Sequence, residues 1–312
     1  MAVTAFLFPG QGSQAVGMAK SLYESFAPAR ELFQEADDAL GFSLSQLIFE
    51  GPIETLTLTE HTQPAILTAS VAAYRFLEAQ GLQPDFVAGH SLGEYSAIVA
   101  AGGVPFADAV RTVRNRGRYM QEAVPAGVGA MAAILKFPID KLEAICAEAA
   151  QGQVVSVANE NSPDQTVIAG NKEAVERAAE LAKAAGAKRA VMLPVSAPFH
   201  CALMQPAQES LKADLDAADF VDLRVPLVNN VEASVVRKAA DVRNGLFLQV
   251  PGRVRWVESM FRLVDEGVEQ FVEVGPGAVL SGLLRNIDPA RKALRFSEAG
   301  DWEKLQGELS VG

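Results

Sequence analysis

Residues 86–103 read FVAGHSLGEYSAIVAAGG, and this stretch determines the fold that the rest of the chain must follow. The short apolar run Phe86 to Ala88 is typical of a buried strand. After a turn at Gly89, the segment from Leu92 to Ala101 has the composition of a helix and ends at Gly102-Gly103. A strand, a sharp turn and a helix in this order predict a parallel α/β sheet.

The turn itself, Gly89-His90-Ser91-Leu92-Gly93, has the G-x-S-x-G spacing of a nucleophilic serine. Glycines on both sides permit the tight turn, and the serine hydroxyl is held away from the backbone at a helix N-terminus. The bare pattern also arises by chance, and a helix-capping serine explains it equally well. Its position between a strand and a helix favours Ser91 as a nucleophile.

The remaining segments predict two units. A strand at Val3 to Phe8 and helices over 28–40 and 64–79 precede residues 86–103, and a strand at Gln270 to Val274 comes near the end. Between residues 127 and 196 the order is strand (131–135), helix (139–150), strand (154–157), strand (166–169), helix (172–185) and strand (190–195), which matches a ferredoxin-like unit. We therefore predict a large α/β-hydrolase-like domain with a parallel sheet, residues 1–126 and 197–312, interrupted by a small ferredoxin-like domain, residues 127–196.

Composition excludes several classes of function. A formal net charge of −11 over 312 residues opposes nonspecific nucleic-acid binding. No apolar run approaches the roughly 20 residues of a membrane span, and the first residues lack the basic start of a signal peptide. The two cysteines, Cys146 and Cys201, form no pairing or metal-binding motif. We expect a soluble cytoplasmic protein that binds neither nucleic acid nor membrane.

The turn after the first strand also suggests a cofactor loop. Gly10-x-Gly12-x-x-Ala15 fits a dinucleotide-binding fingerprint, which requires an acidic residue about 20 positions further on, at the end of a second strand. Glu31 and Glu35 lie at that distance but inside a predicted helix. The fingerprint therefore fails, and a glycine turn that brings backbone close to a reacting centre is the better interpretation.

A nucleophilic serine needs a base, and the chain has three histidines. His90 adjoins Ser91 in a turn that should direct it elsewhere, and His61 lies at a helix start where capping or surface placement explains it. His200 follows a strand at the junction of the two predicted units, where clefts are common, so elimination favours it. No acidic residue is an evident third member of a Ser-His-acid catalytic triad, and a backbone carbonyl could orient the imidazole instead.

One arginine on the helix predicted over 105–123 differs from its neighbours. The apolar residues of this helix form a stripe at helical spacing: Phe106, Ala109, Val110, Val113, Gly117 and Met120. Arg116 falls about 20° beyond the edge of the stripe, and Arg111, Arg114 and Arg118 lie farther from it. An arginine at this edge forms either an internal ion pair or a bidentate clamp on a substrate carboxylate.

Seven motifs, in order, resemble the malonyl-CoA:acyl carrier protein transacylase family of type II fatty acid synthesis. They are FPGQGSQ (8–14), TQPAI (62–66), GHSLGEYSA (89–97), RNRGRYMQEAVPAG (114–127), NENSPDQTVIAG (159–170), PVSAPFH (194–200) and EVGPGAVLSGLL (273–284). The resemblance implies that Ser91 carries a malonyl group from malonyl-CoA to acyl carrier protein, with His200 as base and Arg116 on the malonyl carboxylate. It implies no metal and no cofactor.

The resemblance assigns further positions. The backbone N–H groups of Gln11 and Leu92 would form the oxyanion hole, and Gln63 would line the acyl pocket. Phe199 would crowd the α-methyl group of branched substrates, and the backbone carbonyl of Gln249 would orient His200. Acyl carrier proteins are acidic, so Lys188 and Arg189 are candidates for docking the carrier, although solvated surface residues look the same.

One segment departs from the family pattern, which usually has proline directly before Val-x-Trp. Here the proline is displaced to Pro251, and Arg253 takes its place before Val254-Arg255-Trp256. The displaced proline affects how Gln249 aligns with the family position whose backbone carbonyl orients the histidine. A serine hydrolase, a noncatalytic binding module and a Rossmann-type oxidoreductase remain alternatives.

Overall fold

The computed structural model describes residues 2–195 and 197–309, which form two β-sheets and the helices around them. The strands are β1 (Thr4–Phe8), β2 (Phe86–Gly89), β3 (Gly129–Leu135), β4 (Val155–Ser162), β5 (Gln165–Asn171), β6 (Arg189–Met192), β7 (Leu227–Val228), β8 (Val235–Val236), β9 (Gln270–Val274) and β10 (Ala293–Phe296). The predicted boundaries at residues 1, 196 and 312 lie outside the described residues.

The helices enclose both sheets and fill the connections between strands. They are α1 (Lys20–Ser25), α2 (Ala27–Leu40), α3 (Leu44–Glu50), α4 (Ile53–Leu56), α5 (Thr59–Ala79), α6 (Gly93–Ala100), α7 (Phe106–Glu122), α8 (Ile139–Ala150), α9 (Lys172–Ala184), α10 (Gln205–Ala217), α11 (Ala239–Gln249), α12 (Trp256–Asp265), α13 (Val279–Ile287) and α14 (Trp302–Leu309). Within the described ranges, no helix is long and apolar enough to cross a membrane.

The large sheet has the strand order β10-β9-β1-β2-β7-β8. Its first five strands are parallel, which confirms the predicted parallel α/β sheet. Strand β8 is an antiparallel edge strand that the sequence pattern did not indicate, because it is only two residues long. Its short turn from β7 is closed by a hydrogen bond from Asn229 N to Ser234 O of 3.0 Å.

The small sheet has the order β4-β5-β3-β6 with antiparallel neighbours throughout, which confirms the ferredoxin-like arrangement. One face packs against α8 and α9 in a hydrophobic cluster whose buried members all lie between residues 130 and 187. The opposite face, through Met131, Ala133, Val167 and Ala169, joins the core of the large unit. The small sheet therefore has its own core and also forms a wall of the larger one.

Three element boundaries differ from the predicted ones by three or more residues. Helix α5 begins at Thr59 instead of 64, so Pro64 lies inside it. Strand β6 ends at Met192 instead of continuing to 195, because Pro194 has no N–H for further pairing. Strand β4 extends through polar residues to Ser162, because β5 pairs with it as far as Gln165 and the chain at Val254 pairs along its other side at Asn159.

The parallel strands place three loops at one edge of the large sheet. Strands β1, β2 and β7 are neighbours, and each ends at the same edge, at Phe8, Gly89 and Val228. Binding sites in parallel α/β sheets form in the crevice beyond the carboxyl ends of the strands. The loop after β2 contains Ser91.

Candidate active site

Ser91 lies in the turn between β2 and α6 with a backbone φ of 52°. This left-handed conformation is uncommon for a residue with a side chain and is often found at functional turns. The adjacent glycines permit it: a Cβ on Gly93 would lie 2.0 Å from the carbonyl oxygen of Phe8. The Ser91 backbone N–H donates to Asn230 Oδ1 at 2.7 Å, which fixes the turn from the side of β7.

His200 faces this serine. The distance from Ser91 Oγ to His200 Nε2 is 2.8 Å, and His200 is buried. His200 Nδ1 lies 3.0 Å from the carbonyl oxygens of both Gln249 and Gly252. Because a carbonyl only accepts, Nδ1 carries the proton and Nε2 is left to accept the serine hydroxyl proton.

The charge state of His200 follows from its surroundings. Burial, followed by the positive charge of Arg116, lowers the pKa of His200 to about 3. The imidazole is therefore neutral at neutral pH, which a general base requires.

Arg116 lies in the same site, buried to 1% exposure. Its Nη1 donates to Gln63 Oε1 at 2.8 Å, and its Nη2 donates to Gln249 Oε1 at 2.9 Å and to Ser91 Oγ at 3.2 Å. All three partners are neutral, and no carboxylate of the described residues forms an ion pair with this guanidinium. Arg116 Nε has no hydrogen-bond partner in the same ranges. An internal ion pair is thus absent here, and the guanidinium retains donor capacity beside the serine.

Gln11 and Leu92 frame the other side of Ser91 and line the same cavity. Across the described part of the chain, neither backbone N–H donates to another residue. Two free N–H groups beside a nucleophile are the arrangement that stabilises a tetrahedral oxyanion. The loop from Pro9 that carries Gln11 approaches closely, because a Cβ on Gly10 would lie 2.4 Å from His90 O.

The cavity at Ser91 has a volume of about 190 Å³. Its lining includes Gln63, Phe199 and Met120, and residues of the small sheet such as Asn159 and Asn161. The two units therefore meet at this site. Phe199 is buried next to His200 and forms part of the apolar wall.

Two polar residues that the sequence analysis did not identify support the serine turn. Asn230 Nδ2 donates to Gly89 O at 2.7 Å, and Glu94 Oε2 accepts from Asn230 N at 3.0 Å and from Gln249 Nε2 at 2.9 Å. Burial raises the pKa of Glu94 to about 7. Two features of the sequence could have indicated these residues. Glu94 is the one charged residue in the segment 92–101, and Asn230 belongs to an asparagine pair that directly follows β7.

The other two histidines do not pair with Ser91. His90 Nε2 lies 2.8 Å from Asn161 Oδ1, and its ring makes an edge contact with Trp256 at 5.4 Å. His61, in the first turn of α5, packs its ring edge-on against Phe42 at 5.6 Å. The dinucleotide fingerprint also lacks its structural context, since the first helix after β1 begins only at Lys20.

Comparisons with known proteins identify the family of the chain. The acyl transferase domain family matches residues 5–304. Malonyl CoA-acyl carrier protein transacylase of Bacillus subtilis is 52% identical over 299 residues, 96% of this chain and 94% of that protein. The Escherichia coli K12 protein of the same name is 52% identical over 295 residues, 94% of this chain and 96% of its own length.

Solved structures show the same fold. The acyl carrier protein S-malonyltransferase of Vibrio cholerae superposes with a TM-score of 0.95 and 46% identity, covering 97% of this chain and 100% of that one. A malonyl-transacylase in complex with its type II PKS acyl-carrier protein gives a TM-score of 0.94 and 46% identity, covering 97% and 98%. This chain belongs to the acyl transferase domain family.

Proposed function

We propose that this protein transfers the malonyl group of malonyl-CoA to the phosphopantetheine thiol of acyl carrier protein through a malonyl-serine intermediate. The observation that supports this most directly is the meeting of three groups within one small cavity. The Ser91 hydroxyl lies 2.8 Å from His200 Nε2 and 3.2 Å from the buried guanidinium of Arg116. The serine and histidine support acyl transfer, and the arginine supports a carboxylated acyl group.

In the first half-reaction, the Ser91 hydroxyl gives its proton to His200 Nε2 while Oγ attacks the thioester carbonyl. The backbone N–H groups of Gln11 and Leu92 hold the oxyanion, each contributing roughly 3 kcal/mol of transition-state stabilisation. The carbon–sulfur bond then breaks, His200 returns the proton to the CoA sulfur, and malonyl-Ser91 remains. In the second half-reaction, the carrier thiol gives its proton to His200 and attacks the ester carbonyl, the carbon–oxygen bond to Ser91 breaks, and His200 returns the proton to Ser91 Oγ.

Arg116 supports selection of malonyl over acetyl groups. A malonyl carboxylate can accept hydrogen bonds from the guanidinium and offset its burial, whereas an acetyl group leaves the charge unpaired. A bound carboxylate also neutralises one of the causes that lower the pKa of His200. The correct substrate therefore makes the histidine a stronger base at the moment of attack. Gln63, which accepts from Arg116, and Phe199 complete the wall of this acyl pocket.

The carrier protein as acceptor is supported by relatives. The similar proteins of Bacillus subtilis and Escherichia coli are named malonyl CoA-acyl carrier protein transacylases, and one similar structure is a malonyl-transacylase with its acyl-carrier protein. We assign the same pair of substrates here, with no metal or redox cofactor in the reaction. The two free, buried cysteines support a reducing, cytoplasmic setting.

We also propose that the chain divides into a large discontinuous domain, residues 1–126 and 197–312, and a small inserted domain, residues 127–196. The separate hydrophobic cluster between residues 130 and 187 supports this division. The acyl pocket would then lie between the domains, with Ser91 on the large one and Asn159 and Asn161 on the small one.

Trapping the intermediate tests the function. Brief incubation with malonyl-CoA, followed by proteolysis and mass spectrometry, should place a malonyl adduct on the peptide that contains Ser91. Adding acyl carrier protein should discharge the adduct onto the carrier thiol. An adduct on another residue would disprove the nucleophile, and rapid release of free malonate without carrier loading would indicate a hydrolase.

A further inference from the structure

The loop that supports His200 is connected to the small sheet. This supporting loop, residues 249–254, provides both carbonyl groups that contact His200 Nδ1, those of Gln249 and Gly252, each at 3.0 Å. The loop is tightly turned, because a Cβ on Gly252 would lie 2.5 Å from the carbonyl oxygen of Leu248. Its last residue pairs with β4: Val254 N donates to Ala158 O, and Glu160 N donates to Val254 O, each at 2.9 Å.

Arg253 adds two ionic contacts to this junction. Its Nη1 lies 2.6 Å from Glu160 Oε1 on β4, and its Nη2 lies 2.5 Å from Glu143 Oε1 on α8. The Glu160 side chain is 11% exposed and that of Glu143 is 50% exposed, so the Glu160 contact is the better shielded from solvent. Arg253 directly follows Gly252, and it stands where the family pattern has proline.

We propose that Arg253 is a positioning residue, which holds the supporting loop against the small sheet and so keeps the Gly252 carbonyl in place on His200 Nδ1. The small sheet thereby contributes to catalysis through the histidine as well as by lining the acyl pocket. This inference rests on the proposed role of His200 as the base.

The consequence should appear in the rate of the chemical step. When the Arg253 contacts are lost, the loop keeps its backbone pairing at Val254, but the Gly252 carbonyl is less restrained. The imidazole then spends more time in orientations and tautomers that do not accept the Ser91 proton. Gln249, which accepts from Arg116, is the last residue of α11 and is held by that helix independently of Arg253, so malonyl-CoA binding should be preserved.

Steady-state malonyl transfer by full-length variants tests this. R253A should lower kcat by about 10-fold and leave KM for malonyl-CoA within about twofold, since misorientation removes part of the roughly 100-fold or larger contribution of a general base. R253K, which can reach one carboxylate, should recover most of the rate. E160Q should lower kcat by about threefold, and E143Q by less than about twofold because that contact is exposed.

R262A is the matched control, because Arg262 on α12 forms a similar ion pair at 2.6 Å with Glu266, the residue that follows this helix, away from the supporting loop. Nitrogen-15 NMR of the histidine rings gives an independent readout: E160Q and R253A should reduce the fraction of His200 protonated at Nδ1. If R253A fails to fold, the isosteric E160Q gives the same two readouts.

Unchanged kcat and unchanged tautomer fraction in folded R253A and E160Q would overturn the inference. So would a loss of rate equal to that of R262A, or a loss confined to KM. H200A separates this from failure of the proposed function: if H200A itself keeps the wild-type rate, the histidine is not the base, whatever Arg253 does.

Discussion

The two halves of the catalytic pair are supported in different ways. Ser91 stands in a turn set by its own neighbours in sequence: β2 leads into it, α6 leads out of it, and Gly93 allows the backbone of β1 to approach within contact. His200 has no such local frame. Its orientation depends on carbonyl groups about 50 residues later in the chain, in a loop that is attached to the inserted small sheet.

One site thus combines local and long-range control. A nucleophile needs a fixed backbone conformation, which a short strand–turn–helix motif supplies. A base needs a defined tautomer and a dry environment, which neighbouring segments of a folded chain supply. We therefore expect changes near Ser91 to act mainly on folding, and changes around His200 to act mainly on rate.

Removing either reacting group should have the largest effect. S91A and H200A should each lower malonyl transfer by on the order of 10⁴-fold or more, because the two groups act as one unit, and the double variant should lose little beyond that. S91A should form no covalent adduct, and H200A should form it slowly. Rapid-quench measurement of malonyl-enzyme formation checks this, and additive losses in the double variant would contradict the pairing.

The serine side was predictable because its evidence is contiguous. The strand at 86–88, the glycine turn and the helix after it follow from residue type and period, and the structure has β2, the turn and α6 at these positions. The same is true of the ferredoxin-like order between β3 and β6. Short-range patterns report the conformations that the chain prefers locally, and here the tertiary fold keeps them.

The histidine side was predictable only in part. Elimination singled out His200, and the resemblance suggested Gln249, whose carbonyl does lie 3.0 Å from the ring. The second carbonyl, from Gly252, had no signal in the sequence, because a backbone acceptor leaves no trace in residue type. Strand β4 likewise extends past Val157 through residues that pair with β5 on one side and, at Asn159, with Val254 on the other. The Val254 contact joins distant segments and has no local signal.

The charge at the centre of the site provides the next test. R116A should lower transfer from malonyl-CoA by about 100-fold while lowering transfer from acetyl-CoA far less, because the guanidinium would bind the malonyl carboxylate, which an acetyl group lacks. R118A is the matched control, since Arg118 lies on the same helix with 48% of its side chain exposed. Competition between the two thioesters measures the preference, and an unchanged ratio in R116A would rule out the clamp.

The serine turn should be sensitive in stability. G93A places a Cβ 2.0 Å from Phe8 O, so one of two packed backbones must move, and we expect a loss of about 3 kcal/mol or more in the free energy of unfolding. G282A is the control, because a Cβ added to that helical glycine would meet no atom within 4 Å, and alanine there should stabilise by up to about 1 kcal/mol. Urea denaturation of both variants measures the difference; equal stabilities would show that the turn relaxes.

The stability contributions of His200 and of Glu94, which supports the serine turn, should change with pH in opposite directions. The folded pKa of His200, about 3, lies below its ordinary 6.5, so the unfolded chain binds an extra proton and stability falls as pH decreases between these values. The folded pKa of Glu94, about 7, lies above its ordinary 4.5, so stability rises as pH decreases from 7 to 4.5.

The two contributions oppose each other between pH 4.5 and 6.5, and only that of His200 continues below 4.5. Urea denaturation from pH 7 to 3.5 should therefore show H200Q losing less stability than the wild type below pH 4.5, by roughly 1 kcal/mol per pH unit. E94Q should lack the gain on lowering the pH from 7. If the curves of stability against pH were parallel for the wild type, H200Q and E94Q, burial would not shift the pKa of either group.

The smallest effect on malonyl transfer should come from substitutions on the outer surface of the small sheet. Lys136, Lys188 and Arg189, all exposed, line a groove of about 460 Å³ that also includes Asn286 of α13 and Asp164. Asp164 Oδ2 lies 3.7 Å from Lys136 Nζ, so Lys188 and Arg189 provide the excess positive charge. An acidic carrier should be attracted to this basic groove despite the net charge of −11. The double charge reversal K188E/R189E should raise KM for acyl carrier protein by about 5-fold at low salt, with the difference shrinking as salt screens the charges.

The same variant distinguishes carrier docking from the chemical step. Formation of malonyl-Ser91 from malonyl-CoA should proceed at the wild-type rate in K188E/R189E, because neither residue lines the cavity at Ser91. K238E reverses another exposed lysine, outside this groove, and should leave both half-reactions unchanged. If the double reversal slowed acylation as much as carrier loading, the groove would be acting on the fold of the small sheet. If it slowed neither, the carrier would dock elsewhere.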